Sequence, residues 1–252
     1  MPKCKGNALL LVARELKVDF VVFLETHSTP TDNPLAGIRG GIFEDVPRRQ
    51  VSKGIAVVPL RKGVKVMKEW SAEGRFVSFR VVAEGCKEVR CGYAPTKEVE
   101  RRRFFRIISS HCERLNLLAG DFNCVKDPAD KSGTWRPKPS VRELAVLLDE
   151  TGLVDTLPMG STHTWYGSNC SARIDRVYTM EDSDLVVATR CLPSTYGLSD
   201  HRGLVVDIEG ASVFGKGWFL ESPSQLSQLS CTSLTFGNGG KTLVRAGGQA
   251  TV

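Results

Sequence analysis

A set of polar residues stands at the ends of apolar runs, where residue type and spacing could support chemistry. Its members are Glu25, Tyr93, Asp121, Asn123, Thr164, Asp175, Asp200 and His201. A sequence that served packing alone would place turn residues or further apolar residues at those positions. Carboxylates and an imidazole are the side chains that hold divalent cations and transfer protons. The set therefore indicates a candidate site for acid–base or metal chemistry.

Each member taken alone also has a simpler interpretation. Asp121 and Asn123 could form an Asx turn, and Asp175 could pair with Arg173 or Arg176. A single histidine is more often structural than catalytic. The order of the motifs along the chain decides between the two interpretations.

Other classes of site find no support in the sequence. The eight cysteines contain no C-x-x-C pair, and the four histidines do not cluster with them at metal-ligand spacing, so zinc is not expected. There is no G-x-S-x-G, P-loop or G-x-G-x-x-G pattern, which excludes the common serine-hydrolase and nucleotide-binding signatures.

Five motifs follow one another in a specific order. They are Phe23-Leu24-Glu25-Thr26-His27, Gly92-Tyr93-Ala94-Pro95, Gly120-Asp121-Phe122-Asn123, Ser171-Ala172-Arg173-Ile174-Asp175 and Leu198-Ser199-Asp200-His201. This series resembles the endonuclease/exonuclease/phosphatase superfamily. Within it, the series is most similar to the endonuclease of LINE-type non-LTR retrotransposons, which is itself similar to the apurinic endonucleases. The resemblance covers roughly residues 8–210, and Gly-Asp-Phe-Asn with a downstream Ser-Asp-His is highly specific as a pair.

The resemblance implies hydrolysis of a DNA phosphodiester with Mg²⁺, or Mn²⁺, as cofactor. It implies that Glu25 is a metal ligand and that Asp200 is a second one. Asp121 would orient or deprotonate the attacking water, and Asn123 would hydrogen-bond the scissile phosphate.

The resemblance assigns roles to four further positions. His201 would donate to the phosphate, and Asp175 would fix the orientation of the imidazole and favour its charged form. Tyr93 and Thr164 would supply further polar contacts, with Thr164 among the substrate-binding residues.

The elements that must position these residues can be predicted from periodicity. Apolar residues recur at helical spacing in residues 8–16, 98–115 and 140–151, with Ser140 as the cap of the third helix and Gly152 as its end. Strand-like runs occupy residues 20–24, 54–60, 64–70, 75–83, 88–93, 117–119, 164–166, 174–179, 184–191 and 202–208, and residues 26–50 are predicted to be irregular. The expected class is α/β (α+β), a four-layer α-β-β-α sandwich of two mixed, mostly antiparallel sheets.

The domain limits follow from where this pattern begins and ends. Residues 1–210 are predicted to form the endonuclease/exonuclease/phosphatase domain, truncated at its N-terminus. The family begins with an Asn-bearing strand before the first helix, and Asn7 beside the helix start does not replace it. Residues 211–252 are rich in Ser, Thr, Gly and Gln, which predicts a disordered tail. Gly215-Lys216-Gly217-Trp218 is similar to the start of the segment that joins such an endonuclease to a reverse transcriptase.

Composition sets weak limits on partners and location. The net charge of +6 permits a polyanionic partner without requiring one. Arg48, Arg49 and Lys53 in a loop, with residues 101–103 in the second helix, offer cations for a DNA backbone. No secretory leader or membrane span is recognised, so an intracellular protein, nuclear and cytoplasmic, with reduced thiols is expected.

Two other functions remain open at this point. One is a phosphatase or phosphodiesterase of the same superfamily that acts on a small lipid or sugar phosphate. The other is an inactive remnant that keeps the fold or only binds nucleic acid, which the predicted truncation favours.

Overall fold

A computed structural model describes residues 3–29, 31, 33, 35, 37–45, 53–83, 85–111, 116–158, 163–181, 186–192 and 199–208. The predicted tail, the junction-like residues 215–218, and Arg48 and Arg49 lie outside these residues. The division of the chain at residue 210 stays a prediction. No helix within the described residues has both the length and the apolar composition needed to cross a membrane.

Three α-helices and thirteen β-strands are present in the described part of the chain. The helices are α1 (Lys3–Glu15), α2 (Glu98–Ser109) and α3 (Pro139–Thr151). The strands are β1 (Phe20–Leu24), β2 (Ile42–Glu44), β3 (Ile55–Pro59), β4 (Lys65–Ala72), β5 (Phe76–Ala83), β6 (Gly85–Tyr93), β7 (Leu117–Asp121), β8 (Leu153–Asp155), β9 (Trp165–Tyr166), β10 (Ser171–Ala172), β11 (Asp175–Met180), β12 (Val186–Cys191) and β13 (Leu204–Ile208). A short 3₁₀ helix spans Pro128–Asp130.

The larger sheet has six strands in the order β4-β5-β6-β7-β11-β8. All pairs of neighbouring strands in this sheet are antiparallel except β6 and β7. These two strands run parallel, and the connection between them contains α2, which returns the chain to the end of the sheet where β6 began. The second sheet, in the order β1-β3-β2, is antiparallel, and β12-β13 and β9-β10 form two-stranded pairs.

Apolar contacts stack these elements into four layers. On one outer side, Leu10 of α1 packs with Phe23 and Val58 of the three-stranded sheet. Between the sheets lies a core that includes Val57 and Phe79. On the other outer side, α2 and α3 cover the larger sheet. The predicted α-β-β-α sandwich is therefore confirmed, because each sheet buries one face against the other sheet and the opposite face against helices.

Some element boundaries differ from those predicted. Helix α1 begins at Lys3, so the backbone of Asn7 lies inside the helix. The strands β2, β8 and β10 contain two or three residues each, which is too short for a periodic pattern to identify.

The ends of α3 were predicted with partial success. Lys138, not Ser140, is the N-cap residue. Ser140 is the second residue of the helix and is buried, and its hydroxyl donates to a Glu98 carboxylate oxygen at 2.9 Å. Gly152 ends the helix as predicted, with a φ of 65° that glycine adopts without strain.

The arginines of α2 have partners within the protein, and Arg101 is not exposed as the sequence suggested. Arg101 is almost fully buried and donates to the carbonyl oxygens of Pro95 (3.0 Å) and Thr96 (2.8 Å). It also pairs with Glu98 one turn earlier on the helix. A long arginine side chain at the edge of an apolar helix face can lie in the core when buried carbonyl and carboxylate oxygens accept its hydrogen bonds.

The other arginines of α2 also carry ion pairs. Arg102 and Arg106 both pair with Glu143 of α3, at 3.0 and 2.6 Å, and Arg103 pairs with Glu73 at 3.7 Å. These arginines join α2 to its neighbours, so they are a weaker argument for a DNA-binding face than the sequence suggested.

Candidate active site

Three of the predicted site residues form a row across the middle of the larger sheet. In the parallel pair of β6 and β7, Tyr93 lies beside Asp121. In the antiparallel pair of β7 and β11, Asp175 lies on the other side of Asp121. Asp121 is 5% exposed. Register between three neighbouring strands therefore brings a phenol and two carboxylates together at one edge of the sheet.

The row requires a glycine directly before Asp121. Gly120 has a φ of 148°, and a Cβ placed on it would stand 1.9 Å from the carbonyl oxygen of Gly92 on the neighbouring strand. No side chain fits at that distance, so only glycine at position 120 allows β6 and β7 to approach here. The Gly-Asp pair of the motif thus has a structural cause.

Asn123 supports Asp121 from the loop that follows β7. The Asn123 backbone N–H donates to Asp121 Oδ1 at 2.8 Å, and Asn123 Nδ2 donates to Asp121 Oδ2 at 3.1 Å and to the Ala94 carbonyl at 2.8 Å. Asn123 has a φ of 48°. The Asx turn considered from the sequence is present, and it orients the carboxylate within the cluster.

His201 joins the row through Asp175. His201 Nδ1 lies 2.9 Å from Asp175 Oδ2, while Arg173 and Arg176 pair with Asp130 and not with Asp175. The contact at Nδ1 orients the imidazole ring relative to Asp175.

Thr164 fixes the backbone around Asp175. Its side chain is fully buried, and its hydroxyl oxygen accepts from the backbone N–H groups of Ile174 (3.2 Å) and Asp175 (3.0 Å). The Thr164 carbonyl accepts from the N–H of Arg202 at 2.6 Å. In this structure Thr164 thus binds the segments that carry Asp175 and His201, and its predicted contact with substrate stays a prediction.

Asp200 has a partner that the sequence did not suggest. Its Oδ2 accepts a hydrogen bond of 2.9 Å from the indole Nε1 of Trp165. A backbone bridge between Trp165 and His201 holds the two segments together. No motif signals this role for Trp165, because the contact joins residues that are 35 positions apart.

Glu25 reaches the row from the other sheet. It follows the last residue of β1 with a φ of 53°, and its side chain helps to raise the pKa of the Tyr93 hydroxyl. The guanidinium of Arg75 lies over the Tyr93 ring at 4.9 Å. The Glu25, Tyr93, Asp121, Asp175 and His201 side chains line one end of a single cleft.

Burial and crowded charge shift the pKa values of this cluster. Burial, with the carboxylates of Asp175 and Glu25, raises the pKa of Asp121 well above its usual range, against the opposing effect of His201. Burial alone would lower the pKa of His201, but its hydrogen bond to Asp175 and the charges of Asp175, Asp121 and Asp200 raise it to about 9. Burial and Glu25 raise the pKa of the Tyr93 hydroxyl. At neutral pH the imidazole of His201 is therefore protonated.

The same cluster contains groups that could ligate a metal. Ligand atoms of Asp121, Asp175 and His201 all lie within 4.8 Å of one another. The predicted ligands Glu25 and Asp200 are not members of that group. A cation would offset the desolvation and mutual repulsion of the carboxylates that raise the pKa of Asp121, so the donor set fits a hard divalent ion.

A buried ionic network supports β11 behind the site. Arg173 and Arg176 each contact both Asp130 and Asp155, at 2.5 to 2.9 Å, and the Arg176 side chain is fully buried. The sequence could have indicated such a network, because Arg173 and Arg176 flank the strand start and a buried guanidinium needs carboxylate partners.

Comparison with known proteins identifies the fold. No protein-family model matches the chain, and no curated protein sequence matches it. Among solved structures, the endonuclease domain of TRAS1, a telomere-specific non-LTR retrotransposon, is similar with 17% identity over 81% of this chain and 92% of that chain, at a TM-score of 0.60.

Two further solved structures are similar in fold to this chain. D. rerio TDP2, humanized by 14 mutations, is 16% identical over 82% of this chain and 91% of that chain, with a TM-score of 0.56. An endonuclease/exonuclease/phosphatase family protein from Leptotrichia buccalis C-1013-b is 18% identical over 82% and 93%, with a TM-score of 0.51. The layered sheets, the row of site residues and these likenesses together show that the chain has the fold of the endonuclease/exonuclease/phosphatase superfamily.

Proposed function

We propose that this chain hydrolyses phosphodiester bonds in DNA with the help of a divalent cation. The observation that carries the proposal is the convergence of Asp121, Asp175 and His201 in one cluster, although 80 positions separate the first from the last. Cleavage of a phosphodiester needs an oriented water, a sink for charge on the phosphoryl oxygens and stabilisation of the departing oxygen.

The chain's own residues divide these tasks. Asp121, held by Asn123 and with a raised pKa, orients the attacking water and accepts its proton. His201, which stays cationic because of Asp175, donates from Nε2 to the phosphate. Tyr93 and Glu25 line the same cleft and supply further polar groups beside the phosphate.

A bound Mg²⁺ would supply charge stabilisation at the phosphoryl and leaving oxygens. Oxygen donors suit this ion best, so Glu25 and Asp121 are the side chains that would hold it. The Oδ2 of Asp200 already accepts a hydrogen bond from the Trp165 indole. Asp200 is therefore not counted with Glu25 and Asp121 as a metal ligand, and its negative charge would instead help to keep His201 protonated.

DNA is preferred to a small phosphate ester because of the surroundings of His201. The guanidinium of Arg202 lies 4.0 Å from the centre of the Tyr166 ring. Cationic and aromatic groups side by side suit a polynucleotide, which offers a phosphate backbone and base faces. The net charge of +6 agrees with this choice. A role in a non-LTR retrotransposon, with an associated reverse transcriptase, is part of the proposal.

Conversion of supercoiled plasmid to open circles tests the proposal. We expect nicking with Mg²⁺ or Mn²⁺, no nicking in excess chelator, and loss of nicking in His201→Ala. His111→Ala is the matched control, because His111 is an exposed imidazole that stacks on Trp70 at 4.3 Å, outside the cleft.

Three outcomes would contradict the proposal. Full activity in chelator would refute the role of a metal. Hydrolysis of a soluble phosphate ester without plasmid nicking would favour a small-molecule phosphatase. Absence of both activities in a folded protein would favour the inactive remnant.

A further inference from the structure

The row of candidate site residues continues onto one more strand. Strand β5 lies next to β6 in the larger sheet, and Phe76 of β5 is opposite Gly92 of β6. This antiparallel register places Arg75 opposite Tyr93, and the N–H of Tyr93 donates to the Arg75 carbonyl at 2.7 Å. Residues that lie opposite one another on neighbouring strands project to the same face of a sheet. Arg75 therefore stands at the opposite end of the row from His201.

A tight turn between β4 and β5 fixes the backbone of Arg75. The N–H of Arg75 donates to the Ala72 carbonyl at 2.9 Å, and the two central residues of the turn, Glu73 and Gly74, have φ values of 54° and 62°. Positive φ at both central positions is typical of the turns that join hairpin strands. The Gly74 carbonyl also accepts from the N–H of Gly54, directly before β3, at 2.8 Å. Backbone contacts on two sides thus set the position of Arg75.

The guanidinium of Arg75 is buried without a charged partner. The residue is 7% exposed, and its Nη1 has no hydrogen-bond partner among the described residues. The guanidinium lies over the Tyr93 ring at 4.9 Å, and within the described part of the chain it forms no ion pair. The face of an aromatic ring offsets only part of the cost of burying a cation.

Other buried arginines show what a guanidinium that serves the fold requires. Among the described residues, each of the other four buried arginines lies within ion-pair distance of an aspartate or glutamate. They are Arg90, Arg101, Arg173 and Arg176. A buried cation that lacks such a partner destabilises the folded state. The exception at Arg75 therefore indicates an anion that arrives from outside.

The place of Arg75 in the row restricts which anion this is. Neighbouring strands are about 4.8 Å apart and β6 stands between β5 and β7, so roughly 10 Å separates the backbones of Arg75 and Asp121. The proposed function places the phosphate under attack at Asp121 and His201. The Arg75 guanidinium lies over the Tyr93 ring, so it is placed beside that phosphate, on the side away from His201.

We propose that Arg75 binds the phosphate next to the scissile one in the DNA backbone. A polynucleotide carries a further phosphate at every nucleotide step, whereas a small phosphate ester has none at that position. A guanidinium forms paired, charge-assisted hydrogen bonds with phosphate oxygens. Arg75 thus favours a phosphodiester inside a strand over a small ester. This inference rests on the proposed function and adds a substrate contact that the sequence motifs do not include.

The salt dependence of DNA binding detects this contact without catalysis. A fluorescent duplex is titrated with the full chain in excess chelator, and Kd is measured by anisotropy over a series of KCl concentrations. Loss of one phosphate contact should lower the slope of log Kd against log salt by about 0.9, and we expect this loss in Arg75→Met. Arg75→Lys keeps a cation and should retain the slope. Arg142→Met, at an exposed arginine of α3, is the matched control and should also retain it.

Uncharged linkages in the DNA locate the phosphate. The nick in a defined duplex is mapped first, and each phosphate beside it is then replaced singly by a methylphosphonate. One such replacement next to the nick should slow nicking by the wild-type protein about tenfold or more. It should have little further effect in Arg75→Met, because the partner of that phosphate is already lost. Arg142→Met should respond as the wild type does.

Thermal stability separates a substrate contact from a structural role. Arg75 has no carboxylate partner among the described residues, so Arg75→Met should melt at or above the wild-type temperature when DNA is absent. A clear fall in melting temperature would show that the guanidinium serves the fold, which would overturn the inference.

The outcomes distinguish this inference from the proposed function. If the wild type nicks DNA, and Arg75→Met keeps both its salt slope and its response to methylphosphonates, the inference is wrong and the proposed function stands. If the wild type binds the duplex without nicking it, and the slope falls in Arg75→Met, the proposed function fails while the contact of Arg75 with a backbone phosphate stands. Absence of duplex binding by the wild type would contradict both.

Discussion

His201 Nδ1 lies 2.9 Å from Asp175 Oδ2, and this contact joins two segments that are 26 positions apart. Asp175 sits in a sheet strand, while His201 sits beyond β12 in a segment held to Trp165 by a backbone bridge. The contact makes the imidazole a cation that is oriented by a fixed carboxylate. The two side chains should therefore act as one unit.

We expect Asp175→Ala and His201→Ala each to reduce the nicking rate by about 10²- to 10⁴-fold, the range typical of general acid–base groups. The double variant should be scarcely slower than either single one, because loss of either partner already disables the unit. Single-turnover nicking rates measure this. Losses that multiply in the double variant would show that the two residues work independently.

The stability of the protein should depend on pH through His201. Its pKa is about 9 when folded against 6.5 when unfolded, so the folded state binds the proton more tightly. The resulting stabilisation is fully present below pH 6.5 and is lost as pH rises through about 9. Urea unfolding of wild type and His201→Gln across this range, with chelator present, measures it. The difference in free energy of unfolding between the proteins with and without the His201→Gln change should become smaller when Asp175 is replaced by Asn. An unchanged difference would show that Asp175 does not raise the pKa of His201.

Mg²⁺ should raise the melting temperature of the wild-type protein, because a cation offsets the repulsion among Glu25, Asp121 and Asp175. Glu25→Gln and Asp121→Asn should reduce that increase, since each removes a charged oxygen ligand. Asp149→Asn, at an exposed position on α3, is the control and should keep the full increase. Scanning calorimetry over a series of Mg²⁺ concentrations measures the effect. An equal increase in Asp121→Asn would exclude Asp121 as a ligand.

The buried network behind the site should be far more sensitive than the surface pairs of α2. Asp130→Ala leaves Arg173 and Arg176 short of a partner and should lower the free energy of unfolding by about 3 to 5 kcal/mol. Glu143→Ala, which removes the more solvent-accessible pairs with Arg102 and Arg106, should lower it by about 1 kcal/mol or less. Chemical denaturation measures the free energy of unfolding of both variants. Similar losses in the two would contradict the expectation that the buried network contributes more to stability than the pairs of Glu143.

The sequence predicted the layered fold because long elements carry strong periodicity. The helices α2 and α3 and the strands β3 to β6 each show a clear apolar pattern, and their order leaves few topologies open. The strands β9 and β10 have two residues each, and their existence depends on contacts with distant segments.

The candidate site was predictable only in part for the same reason. Asp121, Asn123, Asp175 and His201 stand in motifs, whereas the contact of Trp165 with Asp200 has no local signal. The burial of Arg101 was missed because helical periodicity reports the side of the helix on which a Cα lies. It does not report how far a long side chain can turn towards buried carbonyl groups.

The backbone at Glu25 sets folding and site chemistry against each other. A φ of 53° places this residue in the left-handed region, where a side chain raises the energy of the folded state by roughly 1 to 2 kcal/mol and glycine would not. The Glu25 carboxylate also contributes to the raised pKa of Asp121. A glycine at this position would relieve both costs, and it would remove from the candidate site the carboxylate that reaches it from the second sheet. Stability and chemistry therefore make opposite demands on one residue.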